Sequence, residues 1–321
     1  MLNVVIPVYK ARDTLPDLLN CLVVQTYKMF IVTISQDGDG EDYSDIIEEF
    51  RGKGLHISHI NSPVNQGPGM ARQLGIDYSG KCDYIMFCDA DDLITPRAVE
   101  VLYKEAKRNM VDILSSDFIA ERGSFQSQYM PVNTTPVTWF HGKVYRIGYL
   151  KENNIRFLES LRLNEDSYFN LVAVNCTENK RKLPEYTYIW KCNENSLTRG
   201  EGEKAFFLKS WEQYILSQVC GIKKILEIKG SISIDVLAAT ILNLYNHSMK
   251  ALFFKIDPSL ANSYIKELKE VEYIQRAFER KPFWEYVYNH LKGCEFTDES
   301  LFFFKRRFID WFNELVAEDI K

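Results

Sequence analysis

The stretch DYIMFCDADD, residues 83–92, runs from an apolar segment straight into three carboxylates. Tyr84 to Phe87 show no polar alternation, the pattern of a short strand covered on both faces, as in a parallel sheet. Ligands of such sheets bind at the carboxyl ends of the strands, and that is where Asp89, Asp91 and Asp92 fall. Residues two apart on an extended chain point to the same side, so Asp89 and Asp91 leave the sheet together. Like charges this close repel. A hard divalent cation such as Mg2+ or Mn2+, shared with phosphate or water oxygens, would relieve them. Read alone, DADD is equally an Asp-rich turn of any α/β protein.

The flanking sequence extends the pattern. LNVVIPVY, MFIVTIS and LHISHIN read as three further strands. A helix capped by Asp13 or Thr14 carries Leu18, Leu19, Leu22 and Val23 on one side, and YSDIIEEFRGKG forms a second helix stopped by glycine. Gly67 and Pro68 open a third helix. TPRAVEVLYKEAKRN forms a fourth, with Thr95 as cap and Pro96 in its first turn, and DILSSDF reads as a fifth strand. Such alternation implies an α/β fold: a mostly parallel central sheet with helices on both faces. Residues 121–200 show turns, aromatics and short runs. From about 204 the pattern is helical, so a boundary near 204 is expected, with a helical region over 205–321.

The chain has 321 residues, 46% of them hydrophobic, enough for one large core or two ordinary ones. Its formal net charge of −5 weighs against nucleic acid as a partner. Seven cysteines, an odd number without a CxxC pair, argue against a disulfide scaffold or zinc site and fit a reducing compartment. The apolar run in MLNVVIPVYK is too short for a secretory signal, and no stretch approaches the roughly 18 apolar residues of a membrane span. The expected location is the cytoplasm, with peripheral contact at the inner face of the cell membrane left open.

Five segments in order resemble the inverting family 2 glycosyltransferases with the GT-A fold, over residues 1–200 or so: VVIPVYK, SQDGDGED, NQGPGMARQLGI, FCDADDLITP and NEDSYFN. The resemblance extends to bacterial cell-envelope polysaccharide and wall teichoic acid enzymes. It implies a Rossmann-like GT-A domain over 1–204, with a nucleotide-binding half at about 1–120 and an acceptor-side half at about 121–204. Carried over by motif, Asp37 meets the nucleotide base, although Gln36 stands where the family has a first Asp. Pro7 and Tyr9 line the nucleoside pocket, and Asn65 and Arg72 contact the nucleotide. Asp89, Ala90 and Asp91 meet the donor sugar and ribose, with Asp91 and Asp89 holding Mn2+ or Mg2+. Ser196 and Arg199, in NENSLTRG, reach the donor phosphates. Asp37 as a turn organiser, Asn65 as a helix cap and Arg72 as a solvated helix residue are the corresponding structural readings.

Inversion at a sugar carbon needs a carboxylate to take the acceptor's proton on the face opposite the leaving diphosphate. By the resemblance, that base is Asp166 of NEDSYFN, with Glu165 its neighbour; two ordinary first-turn acids at a helix N-terminus are the alternative. Upstream, WFHGKVYR offers Trp139 to stack on an acceptor sugar, and Lys143 and Arg146 to meet an anionic acceptor; a packed hairpin fits the same residues. Towards the C-terminus, Leu301, Phe304, Phe308 and Trp311 recur at helical spacing beside Lys305, Arg306 and Arg307. This stripe reads as core, as a homo-oligomer contact, or as a surface for anionic membrane.

The implied function is metal-dependent transfer of a hexosyl or N-acetylhexosaminyl group from a nucleotide-diphosphate donor, UDP-linked by preference. The acceptor hydroxyl would belong to a glycan, a polyol-phosphate polymer or a lipid-linked saccharide. A sugar-phosphate nucleotidyltransferase, or a non-catalytic glycan-binding scaffold, are the alternatives. The first lacks its expected glycine-rich basic loop, since PVYKARDTL follows the first strand.

Overall fold

Four parallel strands form the first half of the sheet: β1 (Leu2–Val8), β2 (Phe30–Asp37), β3 (Ile57–Ser62) and β4 (Tyr84–Phe87), side by side in the order β3-β2-β1-β4. The structure is a computed structural model that describes residues 1–122, 128–132, 139–192, 202–257, 259–269, 271–292 and 306–311. It divides into two compact units, Met1–Leu208 and Lys209–Lys321.

In the first unit, the alternation of β1 sorts its two faces. Leu2, Val4, Ile6 and Val8 join Leu15, Leu18, Leu19 and Leu22 of α1 (Leu15–Val23) and Ile46, Ile47 and Phe50 of α2 (Ser44–Gly52) in one apolar core. Val5 faces the other way, toward α3 (Pro68–Asp77). A Cβ on Gly75 of that helix would lie 2.3 Å from Val5 Cγ1, so only glycine lets α3 approach the strand this closely. Buried Asn3, on the same face as Val5, donates to Gly75 O and Ser79 Oγ and accepts from Thr33 Oγ1.

The fourth helix starts later than its sequence signals. It spans Ala98–Asn109 (α4), because Leu93–Ile94 form a short strand, β5, and Thr95 N donates to Thr187 O. Thr95 is therefore taken up by sheet pairing instead of capping.

The second half of the sheet is where sequence patterning was least informative. β6 (Ile113–Arg122) pairs with β7 (Gln128–Val132) on one side, but it does not lie next to β4. Between them runs β8 (Lys143–Arg146), antiparallel to both and wholly interior. After α5 (Ile147–Glu152) and α6 (Glu165–Asn175), β9 (Lys180–Trp190) pairs parallel with β6 and antiparallel with β5. The β6–β9 register slips around Pro184, from Ser116↔Leu183 to Asp117↔Tyr186, as expected where a proline cannot donate to the ladder.

Every regular element among the described residues of the second unit is a helix. It holds the greater part of α7 (Gly202–Lys229), with α8 (Ile234–Phe253), α9 (Ser259–Lys269), α10 (Glu272–Phe278), α11 (Lys281–Lys292) and a helical turn at 306–311. Ser233 caps α8 by accepting from Val236 N. Phe308 and Trp311 are buried against Tyr245 and belong to the core of this unit; Leu301 and Phe304 lie outside the described residues. No helix among the described residues is long and apolar enough to cross a membrane.

Candidate active site

The carboxyl ends of β1, β2 and β4 open onto one edge of the sheet. Buried Asp37 ends β2, and its two oxygens accept from Gln66 N and Gly67 N, each at 2.8 Å. It thus fixes the turn into α3. Each oxygen retains a second acceptor site, so a nucleotide base remains within its chemistry. Burial raises its pKa, against the lowering effect of the Gln66 and Gly67 N–H groups. Gly38 follows at φ +60°, where a Cβ would lie 2.4 Å from the Val64 carbonyl carbon. Asp39, which sequence reading passed over, ties the neighbouring loops together. It accepts from Lys10 N, Glu41 N, Gln36 Nε2 and Tyr43 OH. Pro7 lies near the end of β1, and Tyr9 just past it is half exposed, with the Lys10 ammonium 5.4 Å from its ring centroid.

Asn65 meets Arg162: the guanidinium donates to its Oδ1 at 2.9 Å and to its backbone oxygen at 3.1 Å. Nothing in the sequence singled out Arg162.

Arg72 occupies the centre. Buried in α3, it donates from Nη1 to Glu165 Oε1 at 2.7 Å and from Nη2 to Asp89 Oδ1 at 2.5 Å. Its guanidinium carbon stands 4.8 Å from the Phe140 ring centroid. The solvated-helix reading of Arg72 is therefore excluded. One planar fork joins the acid cluster after β4 to the acid pair at the start of α6. Despite the cost of burial, Asp89 and Glu165 hold Arg72 firmly in its charged form. Gly69, one turn earlier on α3, makes room for this contact: a Cβ there would lie 3.0 Å from Glu165 Cγ.

Asn164 enters α6 in the left-handed region, φ +59°. Glu165 is buried, and its pKa is pushed up to about 7 by desolvation, with Arg72 opposing and Asp166 adding to the rise. Asp166 accepts from Ser167 N at 2.7 Å. Burial raises its pKa too, against Arg72 and the Ser167 N–H, while Lys143 favours its anion. The helix is locked to the sheet by Tyr145 OH, which donates to Asn170 Oδ1 at 2.7 Å, and Tyr149 OH, which donates to Ala173 O at 2.6 Å.

After β4, buried Asp92 anchors β9. Tyr188 OH donates to Asp92 Oδ2 at 2.6 Å while accepting from Asp89 N at 3.1 Å, and Lys191 N donates to Asp92 Oδ1 at 2.8 Å. Buried Ala90 and partly buried Asp91 lie between. Ligand atoms of Asp89, Asp92 and His141 come within 4.8 Å of one another. Two carboxylates and an imidazole are a donor set that suits a first-row divalent ion such as Mn2+.

Trp139, 39% exposed, forms an aromatic wall with Phe118, His141 and Trp190. The hairpin reading of GKVYR is corrected by the central position of β8. Lys143 is fully buried, and its Nζ donates to Trp139 O. Desolvation lowers its pKa to about 7, against the pull of Asp166. The structure does not bring Arg146 to this site: it stands opposite Tyr84, at the amino end of β4, and is paired with Asp112 and Glu152. Ser196 and Arg199 lie outside the described residues.

The fold and the two facing acid groups define a GT-A class of α/β protein. The family model described as glycosyl transferase family 2 matches residues 3–164, and the chain belongs to that family. It is 26% identical to the uncharacterized glycosyltransferase EpsJ of Bacillus subtilis (strain 168), covering 62% of this chain and 63% of EpsJ. It is 30% identical to the poly(ribitol-phosphate) beta-glucosyltransferase of Bacillus spizizenii, covering 59% of this chain and 32% of that enzyme. The chain thus spans less than two thirds of the length of these curated relatives. Among solved structures, S. aureus TarS 1–349 in complex with UDP-GlcNAc superposes with a TM-score of 0.68 at 20% identity, over 98% of this chain and 90% of that one.

Proposed function

We propose that this chain is a metal-dependent inverting glycosyltransferase that moves a sugar from a UDP-linked donor to a hydroxyl of a cell-envelope glycan or polyol-phosphate polymer. The observation that carries the reading is Arg72, which holds Asp89 and Glu165 at hydrogen-bond distance from one guanidinium. Donor-side and acceptor-side carboxylates therefore border one space, as a single displacement at one sugar carbon requires. The poly(ribitol-phosphate) relative and the UDP-GlcNAc complex of TarS support the acceptor and donor classes.

In this reading the acceptor oxygen bonds to the anomeric carbon from one face as the bond to the diphosphate oxygen breaks on the other. The hydroxyl proton passes to the Asp166 carboxylate, and the nucleoside diphosphate departs. Asp166 must be ionised for this, and Lys143 supports its anion. Glu165, tied to Arg72, fixes the first turn of α6 so that Asp166 is held in place. Asp89 and Asp92, with Asp91 beside them, would hold Mn2+ or Mg2+, which when bound supplies positive charge to the leaving diphosphate. Asp37 and Tyr9 border the nucleoside, and the exposed face of Trp139 receives an acceptor ring.

The test is a thermal-shift and turnover screen of the full chain with Mn2+ and a panel of nucleotide sugars. UDP with Mn2+ should raise the melting temperature, and Asp89→Ala should abolish the rise. Asp166→Asn should keep donor binding and lose transfer. If no nucleotide stabilises the protein, a glycan-binding scaffold replaces this reading. Transfer at near wild-type rate in Asp166→Asn would remove Asp166 as the base.

A further inference from the structure

We infer that His141 is a third protein ligand of the metal, completing the pair Asp89 and Asp92 and biasing the site toward Mn2+ over Mg2+. The inference rests on the metal-dependent reading above. Topology is its first support. β8 runs antiparallel to β4 with Met86 opposite Val144, so the turn that enters β8 and carries His141 lies at the same end of the strand pair as the loop that leaves β4 and carries Asp89. The side chains follow the backbone: one ligand atom from each of Asp89, Asp92 and His141 falls within 4.8 Å of the others.

The imidazole is also fixed in orientation, as a ligand needs to be. It stacks on the Tyr188 ring at 4.7 Å and 20° and meets Phe118 edge-on at 4.8 Å, with Trp190 at 5.2 Å. Tyr188 is the residue whose hydroxyl bridges Asp89 N and Asp92, so one side chain positions all three groups. The backbone beneath is equally constrained. Gly142 sits at φ +65°, where a Cβ would lie 2.3 Å from Ser116 Oγ, and its carbonyl accepts from Ser116 N at 2.8 Å. No bulkier residue fits the turn that presents His141. Imidazole nitrogen suits Mn2+ far better than Mg2+, which prefers all-oxygen coordination.

The experiment loads the purified full chain with Mn2+, alone and with UDP, and records electron-spin-echo envelope modulation. A directly coordinated histidine nitrogen should modulate the echo in the wild type. The modulation should vanish in His141→Gln, with Mn2+ affinity falling at least about ten-fold and Mg2+ affinity changing much less. Circular dichroism checks that the variant is folded; if it is not, the wild-type spectrum alone decides. Bound Mn2+ without nitrogen coupling in the wild type would overturn the assignment of His141 and leave the metal-dependent reading standing. Failure of the wild type to bind Mn2+ under either condition would overturn both.

Discussion

Arg72 and Glu165, 93 residues apart in sequence, are joined by a buried hydrogen bond of 2.7 Å from Nη1 to Oε1, and the same guanidinium reaches Asp89 at 2.5 Å. Removing one partner of a buried charge pair leaves the other desolvated, at a cost of about 3–5 kcal/mol. Arg72→Ala strands two carboxylates and should lower stability by about that amount in urea unfolding, while abolishing transfer. Arg72→Lys restores a charge but not the fork, so it should recover part of the stability and little of the activity. An unchanged unfolding midpoint in Arg72→Ala would show that the bridge holds nothing together.

The protonation of Glu165 gives stability a specific pH dependence. Its pKa is raised from 4.5 to about 7 on folding, chiefly by desolvation. Between those values the folded state binds more protons than the unfolded one, so this group's contribution to stability falls as pH rises through the window. Glu165→Gln should flatten that slope, whatever it does to absolute stability. Denaturant titrations at half-unit pH steps from 4.5 to 7 would measure it, and equal slopes in the two proteins would contradict the assignment.

How much of this was legible in the sequence varies with the range of the interactions involved. The parallel strands β1–β4 and their helices follow from local patterns: continuous apolar runs, a proline at a helix start, glycine stops. Asp89, Glu165 and Arg72 were picked out as separate motifs, but their joining was not, because a contact between α3 and α6 leaves no trace in local spacing. β8 was hidden by its length, Lys143–Arg146, and by a lysine at an interior position. β9 was hidden by polar residues and Pro184, which a register slip accommodates. His141, Arg162 and Tyr188 gave no signal beyond residue type. Only the pairing of β8 with β4 and of β9 with β6 and β5 shows where two of them stand.

Buried Lys143 gives a second pH handle, this time on catalysis. Its charge favours ionised Asp166, whose pKa burial raises. Lys143→Met keeps the length and loses the charge. The acidic limb of the kcat profile should then move to higher pH, since the base must be ionised without its support. Arg146→Met, at the other end of β8, should leave the limb where it is. A limb that stays fixed in Lys143→Met would mean that Asp166 is not the titrating group.

Tyr188 offers the narrowest dissection of the acid cluster, because its ring and its hydroxyl have separate tasks. The ring stacks on His141, whereas the hydroxyl accepts from Asp89 N and donates to Asp92 Oδ2. Tyr188→Phe keeps the stack and strands both partners. A buried polar group left without its bond costs about 1–3 kcal/mol, so the melting temperature should fall by several degrees. Asp89 and Asp92 would lose their common brace, and Mn2+ affinity in a calorimetric titration should weaken by about ten-fold, the lower end for a supporting residue. Added Mn2+ with UDP should then recover less of the melting temperature than it does in the wild type. If Tyr188→Phe binds Mn2+ as tightly as the wild type, the hydroxyl braces the β4 loop and β9 alone, and the metal is held without it.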